Sequence, residues 1–225
     1  MLNSTPMPAY ALQHDFKNLI PGRSIQMGEI LFRKIEQSRE ANAESISSLS
    51  PLKSVSEDPN QPIVSRIDFR VGKITKVWQH EKAERLFCEE IDVGESSART
   101  VASALRGFYS EEDLLGRLVI VVCNLKEAKL QGFLSNGMVL AAKSSDGKVE
   151  LVDPPSESSV GDRVYCDGVG GSPWPSTKVK KEKAWDAVVV DLKTNMHGHV
   201  VWRDTILRTS KGECFVRTLK NAPVS

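Results

Sequence analysis

The chain has 225 residues, 40% hydrophobic and 26% charged, enough interior for one sizeable domain or two small ones without disulfide staples. Its longest apolar run, around Leu118 to Cys123, is strand-sized, and Pro6, Pro8, His14, Asp15 and Lys17 interrupt the N-terminal stretch where a secretory signal needs an apolar core; the expectation is a cytoplasmic protein with no membrane span. The net charge is +1, yet residues 161–225 carry 11 basic side chains against 7 acidic ones, which suits a polyanionic partner and equally a solvated surface of mixed charge.

Residues 1–61 read as a partly helical segment followed by a linker. Ile30, Leu31, Ile35 and Phe32 fall on one side of an amphipathic turn or two. From Glu36 to Gln61 the chain is rich in Ser, Glu, Asn and Pro and lacks any aromatic residue. Such a stretch cannot bury enough apolar surface to offset its ordering entropy and is expected to be largely flexible.

From residue 62 to 166 the texture becomes β-like. Candidate strands are Ile67 to Val77, Phe87 to Val93, Thr100 to Ala104, Arg117 to Cys123 and Leu134 to Ala142, with shorter ones at Val149 to Val152 and Arg163 to Cys166. Ser110 followed by Glu111, Glu112 and Asp113 predicts a short helix with an N-cap and acidic residues at the positive end of its dipole. Five strands with one helix between the third and fourth is the order of an oligonucleotide-binding (OB) barrel. The fold class is thus mainly β: an OB-fold five-stranded barrel with an appended small α+β C-terminal module over 167–225 and a largely flexible N-terminal segment.

That module opens with a Gly- and Pro-rich hinge, Gly168 to Pro175. The cluster Lys178, Lys180, Lys181 and Lys183 follows, then a helix-compatible stretch Ala184 to Leu192 and β-like runs at His199 to Trp202 and Glu213 to Thr218. Cys88, Cys123, Cys166 and Cys214 lie far apart, each in or beside an apolar stretch, as buried reduced thiols do. His197 and His199 have the i, i+2 spacing of a strand-borne metal pair, but no third ligand is evident beside them, so surface histidines are the expectation.

The stretch Asn124 to Ala142 carries the most chemistry. It leaves the end of an apolar strand, where a barrel presents binding groups. Lys126 and Lys129 suit phosphates, and Asn124, Ser135 and Asn136 suit base edges or 2′-hydroxyls; Gly132 and Gly137 permit close backbone approach. The same residues also suit a connecting loop with solvated lysines and Met138 in the core.

Asp68 to Ile74, His80 to Leu86, Glu90 to Gly94, Arg99 to Leu105 and the Asn124 to Ala142 block together resemble the tRNA-binding domain of the endothelial monocyte-activating polypeptide type. That domain is shared by small bacterial tRNA-binding proteins, synthetase-complex cofactors and the C-terminal appendices of some methionyl- and tyrosyl-tRNA synthetases. The resemblance implies RNA-facing roles for Arg70, Lys73, Asn124, Lys126, Ser135, Asn136 and Met138. Where relatives have His-Pro-Asp-Ala-Asp, this chain has His80-Glu81-Lys82-Ala83-Glu84, which leaves the turn without its proline. Trp185, Asp191, Leu192, Thr194 and Asn195 are similar to the C-terminal module that stands in for the second subunit of the bacterial dimer, implying a monomer. Leu19 to Ile25 with Leu31 to Ile35 resembles the end of the anticodon-binding domain of methionyl-tRNA synthetases.

The expected activity is auxiliary capture of tRNA for an aminoacyl-tRNA synthetase, the methionyl enzyme or a multisynthetase complex. Catalytic residues, metal and cofactor are expected to be absent, since no synthetase signature, phosphate loop or nucleophile elbow occurs. Two alternatives stand beside it: a protein-interaction scaffold or cytokine-like factor, and the C-terminal portion of a methionine–tRNA ligase.

Overall fold

The computed structural model describes residues 60–225, and the readings for the first 59 residues, with their helical turn and synthetase-like stretch, lie outside them. Gln61, the last residue assigned to the linker, is buried and donates from Nε2 to Ser65 Oγ (3.0 Å) and Ser172 O (2.8 Å).

After a 3₁₀ turn at Ile63–Arg66, β1 (Phe69–Gln79) runs antiparallel to β2 (Phe87–Asp92), which pairs in turn with β3 (Arg99–Ser103). The register of β1 with β2 slips between Ile74 and Lys76. Thr75 is the extra residue, and its Oγ1 donates to Glu90 O at 3.0 Å. The bulge turns both Ile74 and Val77 toward the barrel interior, three positions apart, where an unbroken strand alternates by two. Gly72 must be small: a Cβ there would lie 2.7 Å from Ile91 Cγ2.

The helix α1 (Glu111–Leu114) forms where expected, with a reciprocal capping box between Ser110 and Asp113, and places Leu114 fully inside. Then β4 (Leu118–Val122) is buried on both faces. Val119 and Val121 fill the barrel, whereas Ile120 and Val122 point into a second core, which explains the unbroken apolar run. The expected single strand Leu134 to Ala142 is broken. The hairpin β5 (Ala128–Leu130) and β6 (Phe133–Ser135) is followed by β7 (Met138–Val139) and β8 (Ala141–Lys143). The hairpin's two-residue loop, Gln131-Gly132, has φ of 49° and 99°, so Gly132 serves a mirror-image turn. The strand β7 pairs with β4. The barrel closes on β3 through Asn136 N to Thr100 O (2.7 Å) and Ala102 N to Ser135 Oγ (3.0 Å), so a hydroxyl replaces a ladder carbonyl.

The strand β9 (Val149–Leu151) pairs with β8, and β10 (Arg163–Cys166) pairs with the start of β1. The lysine-rich segment, to which the sequence assigned no element, is the helix α2 (Ser176–Lys181), with Val179 buried; α3 (Ala184–Val189) follows after Lys183 at φ 49°. Then come β11 (Leu192–Thr194), β12 (Val200–Trp202), β13 (Thr205–Thr209) and β14 (Gly212–Glu213). The expected strand Glu213 to Thr218 does not extend, although Phe215 makes isolated bridges to Asp153 and His199.

Because β13 pairs with β10, one sheet runs β11-β12-β13-β10-β1-β2-β3 from module to barrel. The second core lies between them, with Phe69, Val71, Ile120 and Val122 on the barrel side and Val179, Val188, Leu192, Trp202 and Leu207 on the module side. Each fully buried Val, Leu or Phe contributes about 1.5–3 kcal/mol, so module and barrel stabilise one another. All four thiols are buried and free, and burial pushes those of Cys123, Cys166 and Cys214 up to about 12.

Candidate nucleic-acid interface

The structure brings Lys126, Ser135 and Met138 together on the wall of a groove of about 770 Å³. Arg85, Arg106, Lys143 and Phe108 join them there, and no acidic side chain lines it. Arg85 and Arg106 sit side by side because Arg106 N donates to Arg85 O at 3.3 Å across the loops that follow β3 and precede β2. Lys126 is exposed, and Phe108 is 48% exposed. Lys129 projects from the adjoining hairpin, exposed and paired in register with Leu134. None of Arg85, Arg106, Lys126, Lys129 and Lys143 forms an ion pair among the described residues, so their charge is available to an anion.

Other predicted contact residues are committed to the fold. Asn124 is buried; its Oδ1 accepts from Asp68 N (2.9 Å), and its Nδ2 donates to Arg66 O (2.8 Å) and Trp174 O (2.9 Å). Ser135 Oγ accepts from Ala102 N and donates to Gly137 O (3.1 Å). Arg70 forks onto Asp68 (2.8 Å) and reaches Glu95 (3.3 Å), and Glu95 is shared with Arg99 (2.7 Å). The hydrogen bonds it donates to Asp68 raise the Arg70 guanidinium further, and the one Arg99 donates lowers the Glu95 carboxyl. Arg99 also donates to Cys123 O (2.6 Å) and Asn136 O (3.1 Å), tying this network to the barrel seam. The side-chain amide of Asn136 makes no hydrogen bond among the described residues, and it does not line the groove.

Lys73 is exposed on β1, opposite Asp92 and Leu118 and away from the groove wall. Lys178 lies over Trp174, its Nζ 3.8 Å from the ring centroid, with Arg66 4.1 Å from the same ring. Lys180, Lys181 and Lys183 are exposed on the module. The proline-free turn is held by its histidine: His80 is buried, its Nδ1 accepts from Lys82 N (3.0 Å), and its backbone N donates to Leu86 O. His199 pairs with Glu213 at 3.2 Å, and no cluster of metal-ligating side chains occurs among the described residues.

The family model described as "Putative tRNA binding domain" matches residues 69–163. The crystal structure of the C-terminal domain of Plasmodium vivax p43 superposes with a TM-score of 0.66 at 33% identity, covering 72% of this chain and 98% of that one. The chain belongs to the tRNA-binding-domain family. Cytoplasmic methionine–tRNA ligase of Arabidopsis thaliana is 44% identical over 162 residues, which are 72% of this chain and 20% of that protein. Aminoacyl tRNA synthase complex-interacting multifunctional protein 1 of Cricetulus griseus is 38% identical over 170 residues, 75% of this chain and 47% of that protein. The chain therefore spans less than half the length of these curated relatives. The family model ends at Arg163, the first residue of β10.

Arg85, Arg106, Phe108 and Lys143 were not singled out by sequence reasoning. They come from three separate segments, with Arg106 and Phe108 on one loop, and only the fold assembles them.

Proposed function

We propose that the chain captures folded tRNA through the basic groove and its adjoining hairpin, and offers it to an aminoacyl-tRNA synthetase, in cis or in trans. The observation that carries this reading is the concentration of Arg85, Arg106, Lys126 and Lys143 around one groove free of acidic side chains. Phosphate neutralisation by such groups supplies most sequence-independent affinity for nucleic acid. Lys129 and the exposed Lys180, Lys181 and Lys183 extend the field. Asn136, with its unengaged amide, and Lys73 are secondary contacts in this reading. Arg70, Asn124 and Ser135 act by fixing the strands that carry the others, and Met138 supplies apolar wall.

The synthetase partner is supported by relatives that are themselves methionine– and tyrosine–tRNA ligases or a synthase-complex protein. The role is one of binding, with no catalytic step assigned to the chain. We further propose that it works as a cytoplasmic monomer, its module covering the barrel face that a second subunit would otherwise occupy; the shared core supports this. Among the described residues no helix is long and apolar enough to cross a membrane.

Competition in a gel-shift assay tests the capture reading. Labelled tRNA is expected to be displaced by unlabelled tRNA at concentrations at least tenfold below those needed for unfolded RNA of equal length. Equal displacement by both would overturn structure-selective binding, and no shift with tRNA would overturn the reading altogether. Light scattering at the mass of one 24.9 kDa chain supports the monomer, and a dimer mass contradicts it.

A further inference from the structure

We propose that the groove receives an unpaired nucleotide, with its base against Phe108 and its phosphates on Arg85, Arg106 and Lys126, and that it accepts any of the four bases. This inference rests on the tRNA reading above and specifies what part of the RNA enters.

The groove's size is the first argument. About 770 Å³ falls within the ~300–1,000 Å³ of pockets that enclose a whole small organic ligand, more than a surface phosphate contact needs. Composition is the second. The wall includes Leu105, Leu130, Val139 and Met138 besides Phe108, an apolar lining rimmed by cations, which matches a flat base attached to a charged backbone. A duplex presents its phosphates outside and its base faces stacked within, so only an unpaired nucleotide offers both chemistries to one concavity. Phe108 is 48% exposed, an open aromatic face with no ring partner among the described residues. An acidic peptide would satisfy the rim but leave that face uncovered.

The third argument concerns selectivity. The wall's two deeper hydroxyls are spent inside the protein: Ser103 Oγ donates to Glu89 Oε1 at 2.5 Å, and Ser135 Oγ is engaged with Ala102 and Gly137. No Asn, Gln, Asp or Glu side chain lines the groove. Apart from the exposed Ser225 and the cations, a base placed there meets a ring, aliphatic carbons and a thioether. Since every base has a π-face, discrimination among bases is small.

The test uses the 225-residue protein with fluorescein-labelled tetranucleotides U4 and A4, a fluorescein-labelled hexaglutamate peptide and tRNA, read by anisotropy. U4 and A4 should bind with affinities within about fivefold of each other, and hexaglutamate more weakly. Phe108→Ala should weaken both tetranucleotides about tenfold, as loss of one base–aromatic stack does, and Phe108→Trp should restore binding. Circular dichroism of both variants should match that of the wild-type protein, as expected at a half-exposed position. Unchanged tetranucleotide binding by Phe108→Ala while tRNA still binds would overturn the inference and leave the capture reading standing. Failure of the wild-type protein to bind tRNA would overturn the capture reading itself. Tighter binding of hexaglutamate than of either tetranucleotide would assign the groove to an acidic peptide and overturn the inference.

Discussion

The side-chain amide of Asn124 donates to the carbonyl of Trp174 at 2.9 Å, joining the end of β4 to the hinge of the C-terminal module. The same amide serves Arg66 O, and its oxygen receives Asp68 N, so one buried side chain ties its own strand end to the segment before β1 and to the hinge. Asn124→Ala strands buried backbone groups, each worth about 1–3 kcal/mol when left unpaired. The expected outcome is a loss of about 2–4 kcal/mol in urea unfolding. A variant that keeps wild-type stability yet loses tRNA binding would instead make Asn124 a direct contact.

Glu89 stands fully buried on β2, with Oε2 unpartnered. Burial pushes its carboxyl up to about 7, opposed by the hydrogen bond from Ser103. A raised carboxyl favours folding while protonated: its contribution is complete below the ordinary value of 4.5 and is lost as pH rises to about 7. Across that window the wild-type protein should lose about 3 kcal/mol from this group. Glu89→Gln should flatten the stability–pH curve between pH 4.5 and about 7, measured by chemical unfolding at several pH values.

Glu150 couples barrel to module in the opposite sense. Burial alone would raise its carboxyl, but the backbone N–H groups of Leu219, Thr218 and Arg217 and the Thr218 hydroxyl hold it below its ordinary value. A lowered carboxyl stabilises above the ordinary value, and that stability is lost as pH falls through the folded one. Glu150→Ala should therefore lower the thermal midpoint at neutral pH and narrow its gap from wild type as the solution is acidified below the ordinary carboxyl value of 4.5.

Lys126→Ala with Lys129→Ala should leave stability within about 0.5 kcal/mol, since both side chains are exposed. The tRNA affinity should fall, and the slope of log K against log salt should shrink by about 2, one per lost phosphate contact. Filter binding over a series of salt concentrations reads both.

Gly72→Ala tests the barrel interior. The added methyl meets Ile91, Val121 and Val93 at 2.7, 3.0 and 3.1 Å, and overpacking of this kind costs about 1–3 kcal/mol. Urea unfolding of the variant reads that loss as a lower midpoint.

Periodicity and turn chemistry made the barrel legible. The continuous apolar run of β4, the Ser110 cap and the strand order all follow from local residues. The broken fifth strand was less so, because Gln131 at positive φ has no propensity signal. Helix α2 hid because one buried residue, Val179, gives no visible stripe among lysines. At the site, exposed lysines could be read from the chain. Asn124 and Ser135 were identified as polar groups at a strand end, but their bonding partners lie across the fold. The groove was invisible for a related reason: Arg85 meets Arg106 and Phe108 only when β2 pairs with β3, and the wall opposite them forms only when β3 closes against the Phe133–Val139 stretch.

The salt dependence of tRNA binding by the wild-type chain tests the central claim most directly. With Arg85, Arg106, Lys126, Lys129 and Lys143 on phosphates, log K should fall linearly with log salt at a slope of about −3 to −5. A slope near zero, with affinity unchanged between low and physiological salt, would contradict an interface built on this basic groove.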